Sequence, residues 1–80
     1  MDFTDTRLFN NVFNGYILAD YEDSSNPIYL GKLNKNGNWY IEKIDQTAKT
    51  MRYVKGDSDY PTNWTNRATL TYDYITIFNR

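Results

Sequence analysis

Asp57-Ser58-Asp59 sets two carboxylates around a hydroxyl, and Asp20, Glu22 and Asp23 make a second acidic group; a Ca²⁺ ion takes alternating oxygen ligands of this kind. Neither group has the loop length, central glycine and closing bidentate glutamate of an EF-hand. Turn and capping roles are therefore the favoured reading, and no metal or other cofactor is expected. Glu42, Asp57, Asp59 and Asp73 are the acids from which a glycoside hydrolase would draw its pair, since one acid and one base or nucleophile suffice for that reaction. A chain of 80 residues offers little cleft for a sugar. His and Cys are both absent, which removes the Ser-His-Asp and Cys-His constellations, thiol nucleophiles and His-bearing metal sites. The expectation is a protein that is not an enzyme.

The remaining chemistry lies in aromatic rings. Trp39, Tyr60 and Trp64 are the residues that a flat platform for stacking on sugars or unstacked bases would use. Packing is the favoured alternative, because a small β domain usually centres its core on at least one Trp. Tyr53, Tyr72 and Tyr74 join these three as candidates for an interface or for ligand stacking. Arg52, Lys55 and Arg67 lie close to the rings in sequence, which favours nucleic acid slightly. A formal charge of −1 with no basic run weighs against it, since phosphate binding needs cations gathered on one face. Gly31, Gly37 and Gly56 form no phosphate-cradling pattern and read, with Asn36, as turn or bulge residues. Asn63-Trp64-Thr65 fits the glycosylation pattern without a secretory signal to give it meaning.

The elements that must position these residues are mostly strands. Tyr16 to Glu22 makes a first strand, ended by the turn cluster Asp23-Ser24-Ser25-Asn26-Pro27. Ile28 to Leu33 is a second. Asn34-Lys35-Asn36-Gly37 then turns the chain into Asn38 to Ile44, with glycine supplying the positive backbone angle. Asp45 to Lys49 is a looser turn before a fourth strand over Thr50 to Lys55. In the third strand Trp39 and Ile41 share one face while Tyr40, Glu42 and Ile44 share the other, so both faces of this sheet are expected to be covered. Gly56 to Asn66 is a polar loop whose Tyr60 and Trp64 should pack it onto one end of the sheet, with one helical turn near Thr62 to Arg67. Thr69 to Phe78 alternates over its length and reads as the longest strand. At the N-terminus, Leu8, Phe9, Val12 and Phe13 have the rhythm of a short helix that Gly15 would close, and an extended arm is the competing reading.

The fold class expected is thus mostly β: a small antiparallel meander of about five strands, barrel-like or sandwich-like. Residues 1–15 form a helix or arm, and residues 16–80 a single domain. Such a chain buries only ~60% of its unfolded surface, and without disulfides or zinc the usual supplement is a partner subunit, here copies of itself. The longest apolar stretch, around Tyr16-Ile17-Leu18-Ala19, is far short of the ~20 residues of a membrane helix, so no membrane partner is expected. Met1-Asp2-Phe3-Thr4-Asp5 lacks the features of a signal peptide, which leaves the chain in the cytoplasm where it is made.

Five blocks stand in order along the chain: Gly37-Asn38-Trp39-Tyr40-Ile41, Arg52-Tyr53-Val54-Lys55-Gly56, Ser58-Asp59-Tyr60, Thr62-Asn63-Trp64-Thr65-Asn66-Arg67 and Leu70-Thr71-Tyr72-Asp73-Tyr74. The tract from Tyr29 to Tyr74 that holds them resembles a group of small virion-associated proteins of tailed phages and environmental viruses. No catalytic residue travels with the blocks, and Met1 to Tyr21 falls outside the resemblance. It implies a decoration, neck, tail or fibre-attachment subunit, assembled in the host cytoplasm and carried in the virion among other virion proteins. A glycan-binding module stacking sugars on Trp64 and Tyr60 is the second expectation. A single-strand nucleic-acid binder of OB-like build ranks below both.

Overall fold

The structure, a computed structural model, describes residues 15–74. Four strands, β1 (Ile17–Glu22), β2 (Ile28–Leu33), β3 (Trp39–Asp45) and β4 (Thr50–Gly56), form one antiparallel sheet in the order β1-β2-β3-β4. A short helix α1 (Tyr60–Thr65) and a 3-10 turn (Arg67–Thr69) follow. The architecture is mostly β, a meander as the sequence implies, with four strands among the described residues where about five were expected of the chain. The N-terminal helix or arm expected over residues 1–15 lies outside the described residues apart from Gly15.

Turn chemistry explains the hairpins. Between β2 and β3, Asn34 Oδ1 accepts the N–H groups of Asn36 and Asn38, both at 2.9 Å. Gly37 takes the left-handed angle that the loop needs, φ +88°. At the β3–β4 end the Asp45 carboxylate accepts from Thr47 and Ala48, while Asn26, across the sheet, donates to Asp45 and accepts from Gln46. These bonds hold the Asp45 carboxyl below its ordinary range, the Ala48 N–H contributing most.

The two inner strands are buried on both sides, as the mixed alternation of β3 implies. On the first face, Tyr29, Trp39 and Ile41 meet Tyr60, with Leu33, Val54, Trp64, Leu70 and Tyr72 packed around them. The second face carries Ile28, Leu30 and Ile44, with Leu18 beside them, and also the buried Lys32, Tyr40, Glu42 and Tyr53. Tyr16 leans edge-on against Tyr40, ring centroids 5.0 Å apart.

The segment after β4 departs from expectation. The helix starts earlier than the sequence implies, at Tyr60, because Asp59 adopts φ +62° and turns the chain back while Pro61 sits in the first turn. Among the described residues, the strand expected over Thr69 to Phe78 is reduced to one bridge in which the backbones of Tyr53 and Asp73 exchange both hydrogen bonds. Its alternation serves another purpose. Leu70 and Tyr72 lie over the first face, and the Tyr72 hydroxyl donates to the Arg67 carbonyl at 2.8 Å, which holds the segment across the sheet until Asp73.

Candidate functional site

The six aromatic candidates separate into three settings. Trp39, Tyr60, Trp64 and Tyr72 come together on the first face, Tyr53 is on the second, and Tyr74 lies outside both. Trp39 is buried, donates Nε1–H to the Ser58 carbonyl at 2.7 Å, and lies over Gly56 so closely that a Cβ there would overlap the indole. Gly56, read from sequence as a turn residue, instead ends β4, and the demand on it is room. Tyr60 is buried and donates its hydroxyl to Asp20 Oδ2 at 2.8 Å; burial, reinforced by that carboxylate, pushes the phenol well above its ordinary pKa. Trp64 is half-buried against Gly31, whose missing side chain leaves space for both Trp64 and the Tyr60 hydroxyl. Tyr53 is also buried, and burial moves its phenol up to about 12. Tyr74 is exposed beneath the Arg52 guanidinium, 4.2 Å from the ring.

Arg67 organises the first face. Its guanidinium lies 4.5 Å from the Trp64 ring and 5.7 Å from the Tyr29 ring. It donates Nε–H and Nη2–H to Glu22 Oε1, at 3.1 and 2.9 Å, and Nη1–H to the Trp64 carbonyl at 2.9 Å. With Tyr60–Asp20, this gives the edge strand β1 two side-chain links to the C-terminal segment. Asp20 and Glu22, grouped from sequence as potential Ca²⁺ ligands, are the acceptors in those links. Among the described residues, no three acids or other metal ligands cluster as a site. Asp57, Ser58 and Asp59 are exposed, and Ser58 contributes its carbonyl to Trp39.

The second face holds a feature that the sequence did not announce. Lys32 Nζ lies 3.1 Å from Glu42 Oε1, with both side chains shut away from solvent. Burial raises the Glu42 pKa, and the Lys32 charge and hydrogen bond pull it back. The available signal was an acid flanked on one strand face by Tyr40 and Ile44. The partner follows only from register, which sets Lys32 opposite Tyr40 and Leu30 opposite Glu42, so that lysine and glutamate meet on the diagonal.

Two large apolar side chains are exposed on β1, one on each face. Ile17 is 73% exposed and Tyr21 58%. The pairing slips between Leu18 and Asp20, so Ala19 is an extra residue in a bulge that bends the edge. Beside it an open cavity of about 740 Å³ is lined by Ile17, Leu18, Ala19 and Leu33 and by the loop residues Asn34 and Asn36. A second, of about 450 Å³, is lined by Tyr16, Asn38, Trp39, Lys55, Gly56 and Asp57. No described helix is long and apolar enough to cross a membrane. Comparison of the chain with protein-family models, with curated proteins and with solved structures gives no match.

Proposed function

We propose that this chain is a non-enzymatic structural subunit of a phage particle, acting through contacts with other virion proteins and copies of itself in a symmetric assembly. Its place would be the virion, put together in the host cytoplasm. The resemblance of the Tyr29–Tyr74 tract supports the setting. The observation that carries the mode of action is the exposure of Ile17 on an edge strand, where it lines an apolar cavity with Leu18, Ala19 and Leu33. An exposed large apolar side chain beside an apolar cavity favours a protein contact, and Tyr21, exposed on the other face of the same strand, supplies further contact area at low entropic cost.

The glycan reading receives less support. A sugar would need a bare ring face, whereas Tyr60 is buried and tied to Asp20 and Trp64 lies beneath Arg67. Sedimentation over a range of concentrations tests the first reading: the average mass should rise with concentration, and Ile17→Lys should abolish the rise while leaving the circular dichroism unchanged. A chain that stays monomeric throughout and is missing from purified particles would end it. Specific sugar-array binding lost in Trp64→Ala would favour the glycan reading instead.

A further inference from the structure

We infer that Asn36 is a self-modifying site, at which the Gly37 nitrogen closes on the asparagine side chain and converts it to aspartate or isoaspartate beside the cavity at β1. Three observations point there. Asn36 is exposed, and among the described residues its carboxamide has no hydrogen-bond partner, only its backbone N–H being held, by Asn34. The residue that follows is glycine, whose missing Cβ would otherwise shield the attacking nitrogen, and nothing lies within 4 Å of where that Cβ would stand. The Gly37 N–H donates to the Asn34 carbonyl at 3.2 Å, the longest hydrogen bond in the loop and the one given up when the nitrogen attacks.

The other asparagines between β1 and the bridge at Asp73 lack this combination. Asn26 uses both ends of its carboxamide and precedes Pro27, which has no N–H to give. Asn34 holds the loop with its Oδ1, and Asn63 donates to the Asp59 carbonyl from within the helix. Asn38 and Asn66 precede Trp39 and Arg67, whose side chains crowd the approach.

The reaction needs only water and base. The Gly37 N–H gives its proton to solvent base and the nitrogen bonds to Asn36 Cγ; the Cγ–Nδ2 bond breaks, and Nδ2 leaves as ammonia after taking up a proton. Water then opens the imide ring at either carbonyl. Opening one way gives aspartate and the other gives isoaspartate, which lengthens the backbone by a methylene within the hairpin loop. Either product places a new negative charge beside Ile17, Leu18 and Leu33 in the wall of the cavity.

The test is to hold the purified chain at mildly alkaline pH and map its peptides by mass spectrometry over time. Peptides carrying position 36 should gain about 1 Da with loss of the amide. They should do so at least about tenfold faster than peptides carrying Asn26, Asn34, Asn38, Asn63 or Asn66, because only glycine leaves the attacking nitrogen unshielded. Fragmentation should find isoaspartate at position 36, and Asn36→Gln, which keeps the amide on a longer arm, should remove the fast phase. Asn14-Gly15, the same dipeptide near the N-terminus, is resolved separately in the map. An Asn36 that outlasts the other five, or changes at their pace, overturns the inference.

Discussion

Among the described residues, Lys32 and Glu42 are the two buried charged side chains, and their pairing is costly. Two charges withdrawn from water are each penalised by several kcal/mol, and their attraction offsets this only where the geometry is good. Removing one partner is then worse than removing both. Glu42→Gln takes away the carboxylate 3.1 Å from a buried ammonium and should lower stability by about 3–5 kcal/mol in urea unfolding. The joint replacement Lys32→Met with Glu42→Leu keeps the volume without the charges, and should return to within about 1 kcal/mol of the parent or exceed it. A joint variant as unstable as the single one would mean that the pair itself, rather than the avoidance of a lone buried charge, holds the second face. Charge-pair deletions of this sort separate stability from specificity, and a joint variant that is stable but pairs its strands in more than one register would assign the pair to specificity.

Among elements, α1 is too short to stand by itself and depends on what lies beneath it. Tyr60 and Trp64 can descend onto β2 only because position 31 has no side chain. Gly31→Ala should therefore lift the helix and cost about 1–3 kcal/mol, with tryptophan fluorescence shifted to the red. Adding Tyr60→Phe removes one of the two overlapping groups and should recover part of the loss. Equal loss with and without the hydroxyl would place the overlap on Trp64 alone. The strands were legible beforehand for local reasons: Asn34 to Gly37 is turn chemistry within a few residues, and apolar alternation marks β2 and β3. The candidate surface was legible only as a set of ring types. Neither Glu22–Arg67, 45 residues apart, nor Asp20–Tyr60, 40 apart, leaves a mark in any short window. The described part of the C-terminal segment departs from the expected strand because Leu70 and Tyr72 alternate in the same way whether the chain pairs beside a sheet or lies across it.

The whole molecule is a sheet whose buried phenols set its tolerance of base. Burial is the leading cause by which Tyr40, Tyr60 and Tyr72 are raised above the ordinary 10.0, and by which Tyr53 reaches about 12. The unfolded chain, whose phenols are solvated, loses these protons first as pH climbs past 10.0, so in that range it binds fewer protons than the folded state and stability falls. Below 10.0 the contribution is whole. Spectroscopic titration should show the tyrosinates of Tyr40, Tyr53, Tyr60 and Tyr72 appearing only as the circular dichroism of the fold is lost. One smooth stage near 10.0 with the fold intact would show that these rings are wet. The side-chain links on β1 have a mechanical consequence. Tension applied at Gly15 first parts Tyr16 from Tyr40, then peels the strand from its Ile17 end, where the backbone ladder yields bond by bond, and meets side-chain hydrogen bonds to the C-terminal segment at Asp20 and Glu22. A pull from a neighbour is thereby handed in part to the C-terminal segment; in an optical trap it would register as a soft extension followed by a stiff shoulder, and Arg67→Ala would lower the shoulder.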